Sequence, residues 1–202
     1  MLELYTYLAA GWLAFCLLHS IMATLWFKAI IKNLLGKYFK YYRLLYSLFF
    51  FIFLVLLLKY QFQLSELLLF PVNNTIKLLT TFTLIAGLII MISASKKYFL
   101  QVTGMKILRK NEFKDEFIYS GMNSVIRHPL YAGTLLSAWS LVLFSADASS
   151  LIVCIIITLY VMIGIKFEEK KLLIKYGETY KKYVSKVPML VPAVKLRTKS
   201  VH

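Results

Sequence analysis

Two short runs hold the residue types that could do chemistry. One is Arg127-His128-Pro129-Leu130-Tyr131-Ala132-Gly133; the other is Glu168-Glu169 followed by Leu172, Tyr176-Gly177, Tyr180, Tyr183 and Val187-Pro188. Each sets ionisable groups at the margin of a long apolar stretch, where charge is costly beside lipid and so marks a functional site by default. Pro129 suits the first turn of a helix, because its missing N–H costs nothing there and its fixed φ is already helical. A helix beginning at Pro129 would turn unpaired N–H groups and a positive dipole end toward water. That is an anion site, which Arg127 and His128 would strengthen, able to hold a carboxylate or phosphate. The alternative is that Arg127 only anchors the helix to lipid headgroups and His128 caps it.

The second run predicts a helix over 165–187. At about 100° per residue, Leu172, Tyr176, Tyr180, Tyr183 and Val187 share one face, with Lys171, Lys175, Lys182 and Lys186 on the other side. Glu169 falls in the middle of the aromatic face and Glu168 at its edge. A carboxylate on a buried face needs a cation or donor. Two partners are open to it: Arg127 within the protein, or an ammonium or ribose hydroxyls on a ligand. The three tyrosines at helical spacing are packing residues first. His19, followed by Ser20, is the one titratable group deep in the first apolar stretch, where a histidine is more often hydrogen-bonded structure than catalyst. His202 ends the chain. No zinc spacing, Walker loop, nucleophile elbow or G-x-G occurs, which argues against a nucleotide site of Rossmann type.

Composition says what kind of scaffold positions these groups. Of 202 residues, 60% are hydrophobic, and the mean hydropathy is +0.71. Globular domains run at about 45–50% apolar, so an ordinary soluble domain is excluded. The net charge of +15, from 24 Lys+Arg against 9 Asp+Glu, would suggest nucleic acid on a soluble protein. Here the basic residues cluster beside apolar runs and no reading helix appears, so no nucleic-acid partner is expected and a lipid bilayer is. Cys16 and Cys154 both lie in apolar runs and read as small buried hydrophobes, with neither a disulfide nor a metal implied.

Five apolar stretches can be read: about Tyr5 to Phe27, Leu44 to Leu58 (extended by Tyr60 and Phe62), Leu78 to Ile92, Leu130 to Ala146, and Leu151 to Phe167. A crossing helix needs about 17–25 residues, so the second and third must borrow from their flanks. The fold class expected is all-α, a polytopic membrane helical bundle of about five transmembrane helices. The N-terminus shows no cleavable signal peptide, since it carries Glu3 and no basic residue. Lys28, Lys32, Lys37, Lys40 and Arg43 follow the first stretch. Lys96, Lys97, Lys106, Arg109, Lys110, Lys114 and Arg127 follow the third, and a Lys-rich tail follows the fifth. The opposite segments hold only Lys59 and Lys77. That asymmetry predicts an outside N-terminus and a cytoplasmic C-terminus.

Asp147-Ala148-Ser149-Ser150 is a short connection, which makes the last two stretches an antiparallel hairpin. Its cytoplasmic ends carry Arg127-His128 and Glu168-Glu169, so two motifs some forty residues apart in sequence must meet at one membrane face. The stretch from Lys96 to Ile126 is long for a loop, and its apolar content predicts a folded cytoplasmic cap. No repeat or linker divides the chain, so residues 1–202 read as one domain, with a cofactor-binding part at about 96–192 ending in an amphipathic helix.

These residues resemble the isoprenylcysteine carboxyl methyltransferase and phospholipid methyltransferase superfamily of integral membrane enzymes. Its pattern is a Gly, then R-H-P-x-Y-x-G, a membrane hairpin, and E-E-x-x-L-x-x-x-(F/Y)-G-x-x-Y-x-x-Y-x-x-x-V-P. The chain matches at Gly121, Arg127 to Gly133, Glu168-Glu169, Leu172, Tyr176-Gly177, Tyr180, Tyr183 and Val187-Pro188, with Pro192 beyond, over about Tyr119 to Pro192. His19-Ser20 through Lys28 to Tyr42-Arg43-Leu44-Leu45-Tyr46 looks more loosely like the NnrU and methanethiol S-methyltransferase branch of bacterial members, which implies a bacterial inner membrane.

The resemblance implies methyl transfer from S-adenosylmethionine (SAM) at the cytoplasmic face. By that likeness His128 and Tyr131 line the cofactor site, Arg127 supports it, and Glu168 and Glu169 form its acidic side. Glu116, Phe117 and Ile118 through Asn123 cover the adenosine. Asn123 stands where the family often has an aromatic. Lys186 stands where the prenylcysteine enzymes have Arg, and a Lys loses bidentate recognition of a carboxylate. A small or lipid-like acceptor is expected, thiol S-methylation ahead of prenylcysteine carboxyl or phospholipid amine methylation. The rival classes are a non-catalytic membrane transport or interaction protein, and a reductase on a related scaffold with a nicotinamide cofactor.

Overall fold

The structure, a computed structural model, describes residues 2–64, 67–95 and 121–192. The folded cap expected over Lys96 to Ile126 lies outside the described residues up to position 120. Among the described residues six α-helices follow in order: α1 Leu2–Ala23, α2 Leu25–Leu35, α3 Tyr42–Gln63, α4 Asn74–Ser95, α5 Pro129–Ser145 and α6 Ala148–Val184. Short 3₁₀ turns occupy Gly36–Tyr41 and Gly121–Ser124. This is an all-α polytopic membrane bundle. Four segments are long and apolar enough to cross a bilayer, and α5, with 17 residues, is an apolar fifth at the short end of what can cross. Large apolar side chains face outward, with Leu17, Phe51, Phe82 and Phe167 all more than 60% exposed. Water would penalise that surface, whereas lipid tails accept it.

The first apolar stretch does not run on to Phe27. Thr24 sits in extended conformation (φ −66°, ψ 154°), and its hydroxyl oxygen accepts from the Phe27 N–H. An N-cap of this kind starts a new helix in a new direction. Lys28 and Lys32 therefore belong to α2 rather than to the first span.

Leu8 and Trp12 of α1, Leu57 of α3 and Val153 of α6 form one buried core, with Phe15 and Phe53 packed against it. On the other side, α5 packs most extensively on α4. There Gly133 and Gly87 let two backbones touch: a Cβ on Gly133 would stand 2.7 Å from the Gly87 carbonyl oxygen. Ser140 donates to Thr83 at 2.8 Å across the same seam. Small residues with shared hydrogen bonds are how helices associate without a hydrophobic drive between them.

The α5–α6 hairpin forms as expected, with an even tighter corner: only Ala146 and Asp147 separate the helices. Ala146 takes the left-handed conformation (φ 53°) that ends α5. Asp147, with no exposed surface, caps α6 by accepting from the Ser150 N–H at 2.8 Å, and also bonds the Ser149 and Ser150 hydroxyls. Burial alone would raise its carboxyl; the hydrogen bonds from Ser145, Ser149 and Ser150 outweigh it, and the group is held below its ordinary value. The straight part of α6, Ala148 to Tyr176, is about 43 Å long against a hydrocarbon core of about 30 Å, so the helix extends well past the lipid. The predicted unbroken helix over 165–187 is instead broken at Gly177, whose φ of 53° and ψ of −126° belong to no helix. Glycine takes that conformation without the penalty a Cβ would bring.

Candidate functional site

At the end of the hairpin away from Asp147, the two charged motifs come together. His128 is the residue before α5, and Pro129 is its first helical position, as the fixed φ of proline favours. Glu168 and Glu169 lie on α6. Arg127 Nε donates to Glu169 Oε1 at 2.9 Å, and His128 Nε2 lies 3.0 Å from the same oxygen. Within the protein Glu169 thus has Arg127 as a partner, and a histidine besides. His128 Nδ1 stands 3.9 Å from Glu168 Oε2, too far for a hydrogen bond but close enough for attraction. His128 carries a side chain only 4% exposed.

Arg127 also anchors the tail. Its Nη1 donates to the carbonyls of Val184 and Val187 at 3.1 and 3.0 Å, satisfying acceptors that the end of α6 leaves open. The Arg127 N–H donates to the Pro188 carbonyl at 2.8 Å and the His128 N–H to Met189 at 3.1 Å. The chain thus doubles back beyond α6 and pairs with the start of α5. Tyr180, Tyr183 and Val187 are buried in one cluster with Leu172 and Tyr176 against them, so the tyrosine face packs as expected despite the break at Gly177. Asn123 joins this region from the other side: its Nδ2 donates to the Arg127 carbonyl at 3.3 Å, and its own carbonyl accepts from the Tyr183 hydroxyl.

Tyr131, in the first turn of α5, reaches across to α6 and interacts with Glu168. The Glu168 side chain is 45% exposed, and no cation stands within hydrogen-bond distance of it among the described residues. The N–H groups of Leu130 and Tyr131 have no acceptor within the helix, as first-turn groups never do. Asn123, Arg127, His128, Tyr131, Glu168 and Glu169 are thus brought together. Glu116, Phe117 and Ile118 lie outside the described residues. Among the described residues no group of three or more His, Cys, Asp and Glu could hold a metal ion. The arrangement presents a partly exposed carboxylate, touched by the Tyr131 hydroxyl, and a helix start side by side, which suits a ligand bearing both charges.

One feature escaped the sequence reading. Tyr160, Gly164 and Glu168 stand four residues apart on α6, so they share a face; that spacing is the signal that could have found them.

A sequence model of the family described as NnrU protein matches residues 7–196. The methanethiol S-methyltransferase of a Pseudomonas species is 38% identical over 87 residues, 43% of this chain and 31% of that protein. Methanethiol S-methyltransferase 2 of Bradyrhizobium diazoefficiens is 36% identical over 76 residues, 38% of this chain and 29% of that protein. The enzyme of the same name from Crocosphaera subtropica is 36% identical over 69 residues, 34% and 26% of the two chains. The chain spans less than a third of the length of these curated relatives. No solved structure matches.

Proposed function

We propose that this chain, which belongs to the NnrU protein family, is a membrane-embedded methyltransferase that takes SAM from the cytoplasm and methylates a small or lipid-like acceptor, a thiol first. One observation carries the reading: Arg127 and His128 from the start of α5 and Glu168 and Glu169 from α6 converge at one end of the hairpin. The relatives named as methanethiol S-methyltransferases support the activity and favour the thiol. Residues 1–202 act as one unit in this reading, with the N-terminus outside.

The residues present fit the methyl donor. Glu168, exposed and without a bonded cation, suits the ammonium or ribose hydroxyls. The free N–H groups at the start of α5 suit the carboxylate. Glu169 holds Arg127 and His128 in place, Tyr131 closes the side toward α6, and Asn123 covers the adenosine; Glu116, Phe117 and Ile118, outside the described residues, take the same role by the family resemblance alone. What the donor supplies is a methyl group on a positive sulfur, ready for in-line displacement. The chain's part is then to position the reactants and exclude water.

Titrating the detergent-purified protein with SAM and with NADPH tests this, followed by supplying a thiol and assaying for the thioether. Binding of SAM and formation of the thioether are expected. Binding of neither nucleotide would favour a non-catalytic membrane protein, and NADPH alone a reductase. Methylation of a prenylcysteine or an amine lipid in place of the thiol would move the acceptor and keep the enzyme.

A further inference from the structure

A second set of polar side chains lies on the membrane-spanning helices, at most partly buried and not used by the site just described. His19 of α1 sits between Phe15, stacked at 6.1 Å, and Phe50, edge-on at 5.0 Å. Its Nδ1 is 3.0 Å from the hydroxyl of Tyr160 on α6. The Tyr160 oxygen also accepts from the Ser20 hydroxyl at 3.2 Å. From α3, Tyr46 donates to the His19 carbonyl at 3.1 Å. Three helices are therefore tied together around one imidazole and one phenol, in a region where polar groups are costly.

The position of Tyr160 gives this set a use. On α6 it is two turns from Glu168, about 12 Å along the axis, with Gly164 midway on the same face. Around Gly164 there is room among the described residues: a Cβ there would meet only the Tyr131 hydroxyl of these within 4 Å, at 3.9 Å. Its backbone is not among those with positive φ, so the helix does not require a glycine at this point. What glycine supplies is space, with the Tyr131 hydroxyl of α5 at its edge and Tyr160 and Glu168 about one turn to either side on α6.

An alkyl thiol is mostly protonated at neutral pH, and the thiolate is the nucleophile. We propose that a thiol acceptor occupies the gap at Gly164 and gives up its proton to the Tyr160–His19 pair. The inference rests on the methyltransferase reading. As the S–H bond breaks, its proton goes to the Tyr160 oxygen while Tyr160's own proton passes to His19 Nδ1. The electron pair freed on the thiol sulfur forms the new S–C bond with the methyl group. The old C–S bond breaks with its pair staying on the departing sulfide. One proton remains on His19 and returns to water.

The phenol has the capacity for this: one proton for His19, and two lone pairs, one for Ser20 and one for the incoming S–H. The other titratable groups near the pair are Cys16 on α1, Tyr46 and Arg43 on α3, and Tyr131 on α5. Glu168, on the far side of the gap, is the one carboxylate among the described residues that faces it, and it is engaged by the Tyr131 hydroxyl.

The test compares an alkyl thiol with an aryl thiol that is already ionised at about pH 8, using wild type, Tyr160→Phe and His19→Gln. With the alkyl thiol, kcat/KM is expected to fall about a hundredfold or more in either variant. With the aryl thiol it should fall less than about threefold, and calorimetric SAM affinity should stay within about twofold. Equal losses on both thiols, or no loss on either, would overturn the step while leaving the methyltransferase reading standing. A wild type that methylates neither thiol would overturn both. If a variant does not fold, wild type alone decides. Across alkyl thiols of rising pKa, kcat/KM should hold nearly level; a fall in step with the fraction ionised in solution would overturn the proposal.

Discussion

One oxygen of Glu169 serves two side chains, the Arg127 guanidinium and the His128 imidazole, and that sharing separates the roles of adjacent glutamates. Glu169 is spent inside the protein on Arg127 and His128, whereas Glu168 faces outward, near 45% exposed. Glu168→Gln is therefore expected to weaken SAM binding about tenfold with the melting temperature unchanged, since no internal ion pair of hydrogen-bond length is lost. Glu169→Ala should lower both, weakening SAM at least about tenfold and costing about 1–2 kcal/mol, less than for a fully buried pair because its side chain is 26% exposed. Calorimetry and thermal unfolding in detergent read the two quantities; unchanged affinity in Glu168→Gln would remove that residue from the site. The sequence could name Arg127 as a partner for Glu169, because the hairpin forces the two motifs together. It could not show that His128 would choose the same oxygen, which depends on side-chain rotation around a single point. Nor could it join His19 to Tyr160, 141 positions apart, since nothing in local spacing relates α1 to α6.

Among the elements, the hairpin was legible because a short connection leaves no other arrangement. The break at Thr24 was less so: Phe27 continues the apolar run, and only the capping hydroxyl turns the chain. The pairing of α4 with α5 was hidden for another reason. Gly87, Gly133 and Ser137 contribute almost no hydrophobicity, and their part is to let backbones approach. The Asp147 corner yields a prediction of its own. Because its carboxyl is held below the ordinary value, the ionised form stabilises the fold above about pH 4, and that contribution is lost as pH falls through the lower folded value. Thermal stability should thus stay level in this respect from neutrality to about pH 5 and drop in more acid solution. Asp147→Ala should cost about 1–2 kcal/mol at neutral pH, the usual size for a lost helix cap, and flatten the acid drop. A variant as stable as wild type, with the same acid limb, would show that the corner holds without the carboxylate.

At the scale of the molecule, the orientation proposed from the lysine and arginine distribution can be checked by labelling intact cells with a membrane-impermeant thiol reagent. With Cys16 and Cys154 replaced, Asn73→Cys before α4 should label directly, and Lys37→Cys between α2 and α3 only after permeabilisation; the reverse result would invert the protein. The closing of the tail on the start of α5 has a further effect on how the protein comes into being. Arg127 and His128 are fixed partly by Pro188 and Met189, which the ribosome adds some sixty residues later. A nascent chain therefore inserts its helices before it owns a finished socket, and cofactor capture waits until Pro188 and Met189 have been added. Ligand binding in this design reports that translation has passed those two residues.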